Sequence, residues 1–201
     1  MKTVHWTWSS RQKTGDKDVT LGKINAVNNF CIALPSNEPR CTSCHAGYGW
    51  KDASFDFKKA ENVDCLVCHD TTGTYKKFPT AAGHPNYEPR EFPPKSGKIW
   101  QPPDLVKIAQ SVGPTSRATC GACHFFGGGG DHVKHGDLDS SMAKPQRAID
   151  VHMAVDGANM GCSDCHRAKN HVIPGRVLAV TMSNPVAGST LDCADCHAGK
   201  P

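Results

Sequence analysis

Five stretches of the chain read Cys-x-x-Cys-His: Cys41, Cys44 and His45; Cys65, Cys68 and His69; Cys120, Cys123 and His124; Cys162, Cys165 and His166; Cys193, Cys196 and His197. Two thiols three residues apart can form thioethers with the two vinyl groups of one porphyrin. An imidazole on the next residue can then bind its iron, and the whole is the attachment signature of c-type haem. With 11 cysteines and 11 histidines in 201 residues, random placement gives only about 0.03 such motifs. Paired Cys-x-x-Cys also serves zinc, but a zinc ribbon has no use for a histidine directly after every pair. The spacing therefore predicts five covalently attached haem c groups, with further haems if the natural chain is longer.

The elements that hold these motifs must be built from little apolar material. Leu, Ile, Val and Phe together make up about 17% of the chain, below the roughly 20% of a sequence that fills its own core. Net charge is only +4, so self-repulsion does not explain the shortfall. Porphyrins, as large flat apolar bodies, can take the place of the missing side chains. The expected fold is mostly α and irregular: short helices and loops wrapped around a haem stack, with little or no sheet. It forms one multihaem domain over 1–201 that does not fold without haem.

The repeat is the motif and not a fold unit, because the first cysteines are spaced irregularly, 24, 55, 42 and 31 residues apart. The best helix is 104–112, with Asp104 as cap, Leu105, Ile108, Ala109 and Val112 as an apolar stripe, and Gly113-Pro114 as terminator. Further helical turns are expected at or just after each motif histidine and around 131–136. Seven of the 14 prolines fall in 76–103, which reads as an irregular extended arm, exposed or packed on a neighbouring subunit.

Six histidines lie outside the motifs: His5, His84, His132, His135, His152 and His171. Low-spin electron-transfer haems need a second strong axial ligand, and imidazole is the usual donor. These six are the candidates, with His84 and His132 the weaker ones. The segment 125–136, FFGGGGDHVKHG, could carry other chemistry. Four glycines let the backbone lie close to a flat ring, and Asp131 and Lys134 share a face if a helical turn starts there. A neutral lysine amine can bind iron when burial and the metal depress its pKa. Otherwise Lys134 is a surface lysine. Cys31, the one cysteine outside the motifs, reads either as a small buried apolar residue or as a thiol facing a haem pocket beside Asn28.

HWTW (5–8), GKINAVNNFCIA (22–33), EPRCTSCHAGYGWKDASFDF (38–57), VDCLVCHDTTGTY (63–75), CGACHFFGGGGDHVKHGDLDSSMA (120–143) and DVHM (150–153) resemble the octahaem tetrathionate reductase family. That family is related to hydroxylamine oxidoreductases and pentahaem nitrite reductases. The resemblance implies that the haem on Cys41, Cys44 and His45 is the substrate haem and that Lys134 is its far-side ligand. Asn28, Cys31 and Asp131 would line the pocket, and the other haems would be bis-histidine carriers, with His5, His135, His152 and His171 as distal ligands. His132 stands where the family carries a small residue. Eight haems in the family against five here imply either that this chain matches the central five-haem portion of a longer one or that it is a shortened pentahaem relative.

Two functions follow. In one, a periplasmic oxidoreductase passes electrons along bis-histidine haems to the Lys134-ligated haem, which reduces a small sulfur or nitrogen oxyanion of the tetrathionate, nitrite or hydroxylamine class. Cys31 would form a transient sulfur adduct or shape the pocket, and Asp131 would relay protons. In the other, the chain only conducts, as a periplasmic shuttle or a subunit of an extracellular filament. Haem attachment takes place outside the cytoplasm, so periplasmic or extracellular placement is expected although the start of the chain carries no signal peptide. Expected partners are other cytochromes or quinol-linked donors, the oxyanion substrate and copies of the chain itself. No apolar run suffices for a membrane span, and the mild pI of about 8.5 raises no expectation of nucleic acid.

Overall fold

A computed structural model describes residues 9–14, 16–22, 46–50, 54–79, 83–126, 130–133, 137–171, 173, 191 and 193–199. Strands β1 (Ser9–Thr14) and β2 (Lys17–Gly22) form an antiparallel hairpin in which Ser9 pairs with Gly22 and Thr14 with Lys17. Then come helix α1 (Leu66–His69), the short strands β3 (Arg90–Glu91) and β4 (Ile99–Trp100), and helices α2 (Leu105–Gln110), α3 (Arg117–His124), α4 (Cys162–Cys165) and α5 (Cys193–His197). Two single 3-10 turns, Ala60–Asn62 and Ser140–Ala143, complete the regular structure among the described residues. Among the described residues the architecture is helical and irregular with two small hairpins, in line with the expectation of short helices, loops and little sheet.

The four described haem motifs share one local solution. Each lies on a helical turn that ends at or one residue before its histidine, not on a turn that starts there as the sequence suggested. The reason is geometric: residues i, i+3 and i+4 of a helix share one side, so both thiols and the imidazole can address the same object only if the motif itself is helical.

Helix α2 matches its sequence expectation except at its end. The Asp104 carboxylate accepts the Lys107 N–H at 3.0 Å, and Ile108 is wholly buried. The helix stops at Gln110 because Val112 is taken up in an antiparallel bridge with Asp70. Helix α3 starts on a capping box in which the Ser116 hydroxyl accepts from Thr119 N–H at 3.2 Å and the Thr119 hydroxyl accepts from Ser116 N–H at 2.9 Å. Gly121, inside the third motif, lies under the Phe125 ring so closely that a Cβ would collide with it.

Within the proline-rich stretch the chain turns back on itself through β3 and β4, with Arg90 opposite Trp100. Phe78 meets Phe92 and Trp100 edge-on, each at 5.3 Å between ring centres, and the Trp100 indole N–H donates to Phe92 O at 2.9 Å. Elsewhere apolar burial is sparse. Among the described residues, the buried hydrophobic side chains are Ala46, Trp50, Ile108 and Ala154, with Trp50 packed on Phe55 and Phe57. Buried polar groups are as prominent: Asp64, Asp70, Lys77 and Asn86.

Candidate haem-binding sites

Successive motifs are neighbours in space. Helix α1 packs on α3, and their surroundings are stitched together where Gly113 N–H donates to His69 O at 2.9 Å. The Cys120 thiol of α3 lies within electrostatic reach of Cys68 and is hydrogen-bonded to the Cys162 thiol of α4, while Cys165 lies near Cys196 of α5. The bond to Cys162, with burial added, pushes the Cys120 thiol up. The same bond holds Cys162 down to about 7 against burial, helped by the nearby Arg117 cation. Both titrations end once the sulfurs are thioethers.

Two imidazole pairs define candidate iron positions. His69 and His171 have ring centres 6.2 Å apart, and His152 and His197 have theirs 6.0 Å apart. Two imidazoles on opposite faces of one metal, with bonds of about 2.0–2.1 Å and a further ~1.1 Å to each ring centre, are separated by roughly 6 Å. The His69 ring is also oriented for this task, because its Nδ1 lies 2.8 Å from Gly113 O. Donation to that carbonyl places the proton on Nδ1 and leaves Nε2 as the metal donor.

The described residues fit haem c. No group of three or more His, Cys, Asp and Glu side chains gathers at one point among them, as a zinc site needs. A porphyrin supplies its own four nitrogens and asks the protein for two axial ligands and two sulfurs. The described motif residues Cys65, Cys68, His69, Cys120, Cys123, His124, Cys162, Cys165, His166, Cys193, Cys196 and His197 offer that set.

Other predicted residues are placed differently. The Asp131 carboxylate is engaged by Ser140, accepting from its N–H at 2.8 Å and from its hydroxyl at 2.9 Å, so it ties the glycine-rich loop to the following 3-10 turn. His132 is exposed, in a left-handed conformation, 3.5 Å from Asp139. The ends of that loop are joined where Phe125 pairs with Leu138 and Leu138 N–H donates to His124 O at 2.8 Å. His84 stacks on Tyr48 at 5.6 Å, with Nδ1 3.0 Å from the Tyr87 hydroxyl. His5, Asn28, Cys31, the first motif (Cys41, Cys44 and His45), Lys134 and His135 lie outside the described residues.

Sequence reasoning missed a buried network drawn from both sides of the second motif. Asp64, directly before Cys65, accepts from the Tyr48 hydroxyl at 2.8 Å, the Tyr75 hydroxyl at 2.7 Å and Leu66 N–H at 3.1 Å, and pairs with Lys77 at 3.0 Å. Lys77 in turn donates to Gly47 O at 3.0 Å, two residues beyond His45. It also missed Arg117. No spacing announces these residues; only their chemical type, polar side chains next to haem motifs, could have drawn notice.

Paired imidazoles, helical Cys-x-x-Cys-His motifs and a fold short of apolar core define a multihaem c-type cytochrome, an electron-transfer protein carrying covalently bound haem c. The crystal structure of an octahaem cytochrome c from Shewanella oneidensis superposes with a TM-score of 0.67 at 50% identity, over 97% of this chain and 39% of that one. The chain is similar to that octahaem cytochrome c and spans about two fifths of its length. An uncharacterised protein of Archaeoglobus fulgidus is 31% identical over 139 residues, 65% of this chain and 45% of that protein. No family model matches. Among the described residues, no helix is long and apolar enough to cross a membrane.

Proposed function

We propose that residues 1–201 act as one continuous five-haem unit that carries electrons to a Lys134-ligated haem, where a small sulfur or nitrogen oxyanion is reduced. The observation behind the conducting part is the adjacency of Cys68, Cys120 and Cys162, and of Cys165 and Cys196. Haem c, when bound, supplies a one-electron iron couple. The chain's own residues hold the rest. Cys41 and Cys44 anchor the first haem and His45 ligates it. His69 with His171, and His152 with His197, serve as axial pairs, while His5 and His135 complete two further sets. The reductase part rests on the likeness of INAVNNFC and GGGGD-x-x-K to the tetrathionate reductase segments. Asn28 and Cys31 line the pocket. Asp131 holds the loop that carries Lys134, with proton relay as a second task. Placement is periplasmic or extracellular, and electrons come from another cytochrome or a quinol-linked donor.

The test is reoxidation of the dithionite-reduced holoprotein by tetrathionate, nitrite and hydroxylamine. Lys134→His is expected to slow at least one of these by about tenfold or more, equivalent to at least ~1.4 kcal/mol of barrier. Equal rates with all three oxidants would leave a conductor and not a reductase.

A further inference from the structure

Arg117 is the first residue of α3, where the helix dipole disfavours a cation. Its half-buried guanidinium is nonetheless held by carbonyls of later segments. Nη2 donates to Met160 O at 2.6 Å and to Met153 O at 2.9 Å and lies 3.4 Å from Asn159 Oδ1, and Nη1 lies 3.5 Å from Ala143 O. Met153 follows His152 directly, and Met160 stands at the far end of the loop that His152 opens. The same loop is closed from within: Met160 N–H donates to His152 O at 2.9 Å, and Asp150 Oδ1 accepts from His152 N–H at 2.8 Å and Met153 N–H at 2.7 Å. Ala154 is wholly buried at its base. Asn159 turns the chain in the left-handed region at φ 51°.

From this geometry we infer that Arg117 is a positioning residue for His152, fastening the loop of the axial ligand paired with His197 to the attachment helix of the third haem. The inference rests on the His152–His197 pairing. The rigid guanidinium plane, which never loses its charge, aims the two protons of Nη2 at both carbonyls, whereas a lysine ammonium on a flexible stem does not fix the same two in one orientation. The consequence reaches across three haem sites. Arg117 stands on the helix of Cys120, lies close enough to Cys162 to influence it, and holds the loop of a ligand that meets His197. A disturbance at the third motif is thereby passed to the iron of the fifth.

The experiment compares the ferric holoprotein with Arg117→Gln, Arg117→Lys and His152→Ala, at equal haem per chain, by electron paramagnetic resonance and by titration with imidazole. His152→Ala is expected to turn one haem high-spin, with low spin restored by imidazole. Arg117→Gln is expected to turn more than half of that same haem high-spin, again reversed by imidazole, with the other haems unchanged. Arg117→Lys, which keeps the charge, is expected to lie between the unsubstituted protein and Arg117→Gln and serves as the reading if the glutamine variant does not mature. Were both Arg117 variants to keep every haem low-spin while His152→Ala lost one, the positioning role would be overturned and the pairing would stand. Were His152→Ala itself to keep every haem low-spin, the pairing would fall and the inference with it.

Discussion

The Asp64 carboxylate and the Lys77 ammonium lie 3.0 Å apart with their side chains 0% and 3% exposed, between the segment that follows the first haem motif and the residue that opens the second. Two tyrosine hydroxyls and one backbone N–H complete the carboxylate's acceptors, and Gly47 O takes a proton of the ammonium. Burial first, and the Asp64 charge with it, pushes the Tyr48 and Tyr75 hydroxyls far above the ordinary phenol range, so both remain donors at any working pH. The pair ties Gly47, just after the first Cys-x-x-Cys-His motif, to Asp64, directly before the second.

Breaking one side of this pair should therefore cost more than the pair is worth. Lys77→Met leaves a buried, uncompensated carboxylate and should destabilise the holoprotein by about 3–5 kcal/mol. Adding Asp64→Asn should recover part of that loss, because the charge goes with it. Denaturant unfolding of the single and double variants measures both, and additive losses would show that the two groups are not coupled.

His171 stands 6.2 Å from His69 between ring centres. His171→Ala should convert one haem from low to high spin and raise its reduction potential by removing a strong donor. Resonance spectra of the ferric protein and a spectroelectrochemical titration report the two effects. An unchanged low-spin count would show that another residue ligates that iron.

His84 has its pKa lowered, first by burial and then by the Lys77 charge. The folded protein thus binds this proton less readily than the unfolded chain does, and stability rises with pH through this group. Its contribution is complete above the unfolded value of about 6.5 and is lost as pH falls through the lower folded value. Proton NMR of the His84 ring should show the depressed titration, with the stacking on Tyr48 weakening on the acid side. His84→Phe, which keeps the stacking ring, should flatten that part of the stability profile.

Much of the haem chemistry was legible because covalent attachment demands a fixed local pattern. A helix presents i, i+3 and i+4 together, so the four described Cys-x-x-Cys-His motifs carry their own geometry and needed no tertiary information. The same holds for α2, where Asp104 and Gly113-Pro114 act within a few residues. The error over where the motif turns begin came from treating the histidine as a start signal, when the thiols must already be helical to face the same ring as the imidazole. In the proline-rich stretch, prolines were visible one by one, but the Phe78, Phe92 and Trp100 contacts that turn the chain back are between residues 14 and 22 positions from Phe78.

The sequence by itself determined that this chain carries the attachment pattern of c-type haem, at which positions that pattern falls, and that little apolar side-chain material is on hand to build a core. Only the tertiary structure decided which imidazole meets which, that Asp131 turns to Ser140, and that Asp64 with Lys77 and Arg117 with the 153–160 carbonyls tie the haem segments together. The physical reason is range. A motif is read from neighbours along the chain, whereas an axial pair, a buried ion pair and a guanidinium clamp are set by groups brought together from 13 to 102 residues apart.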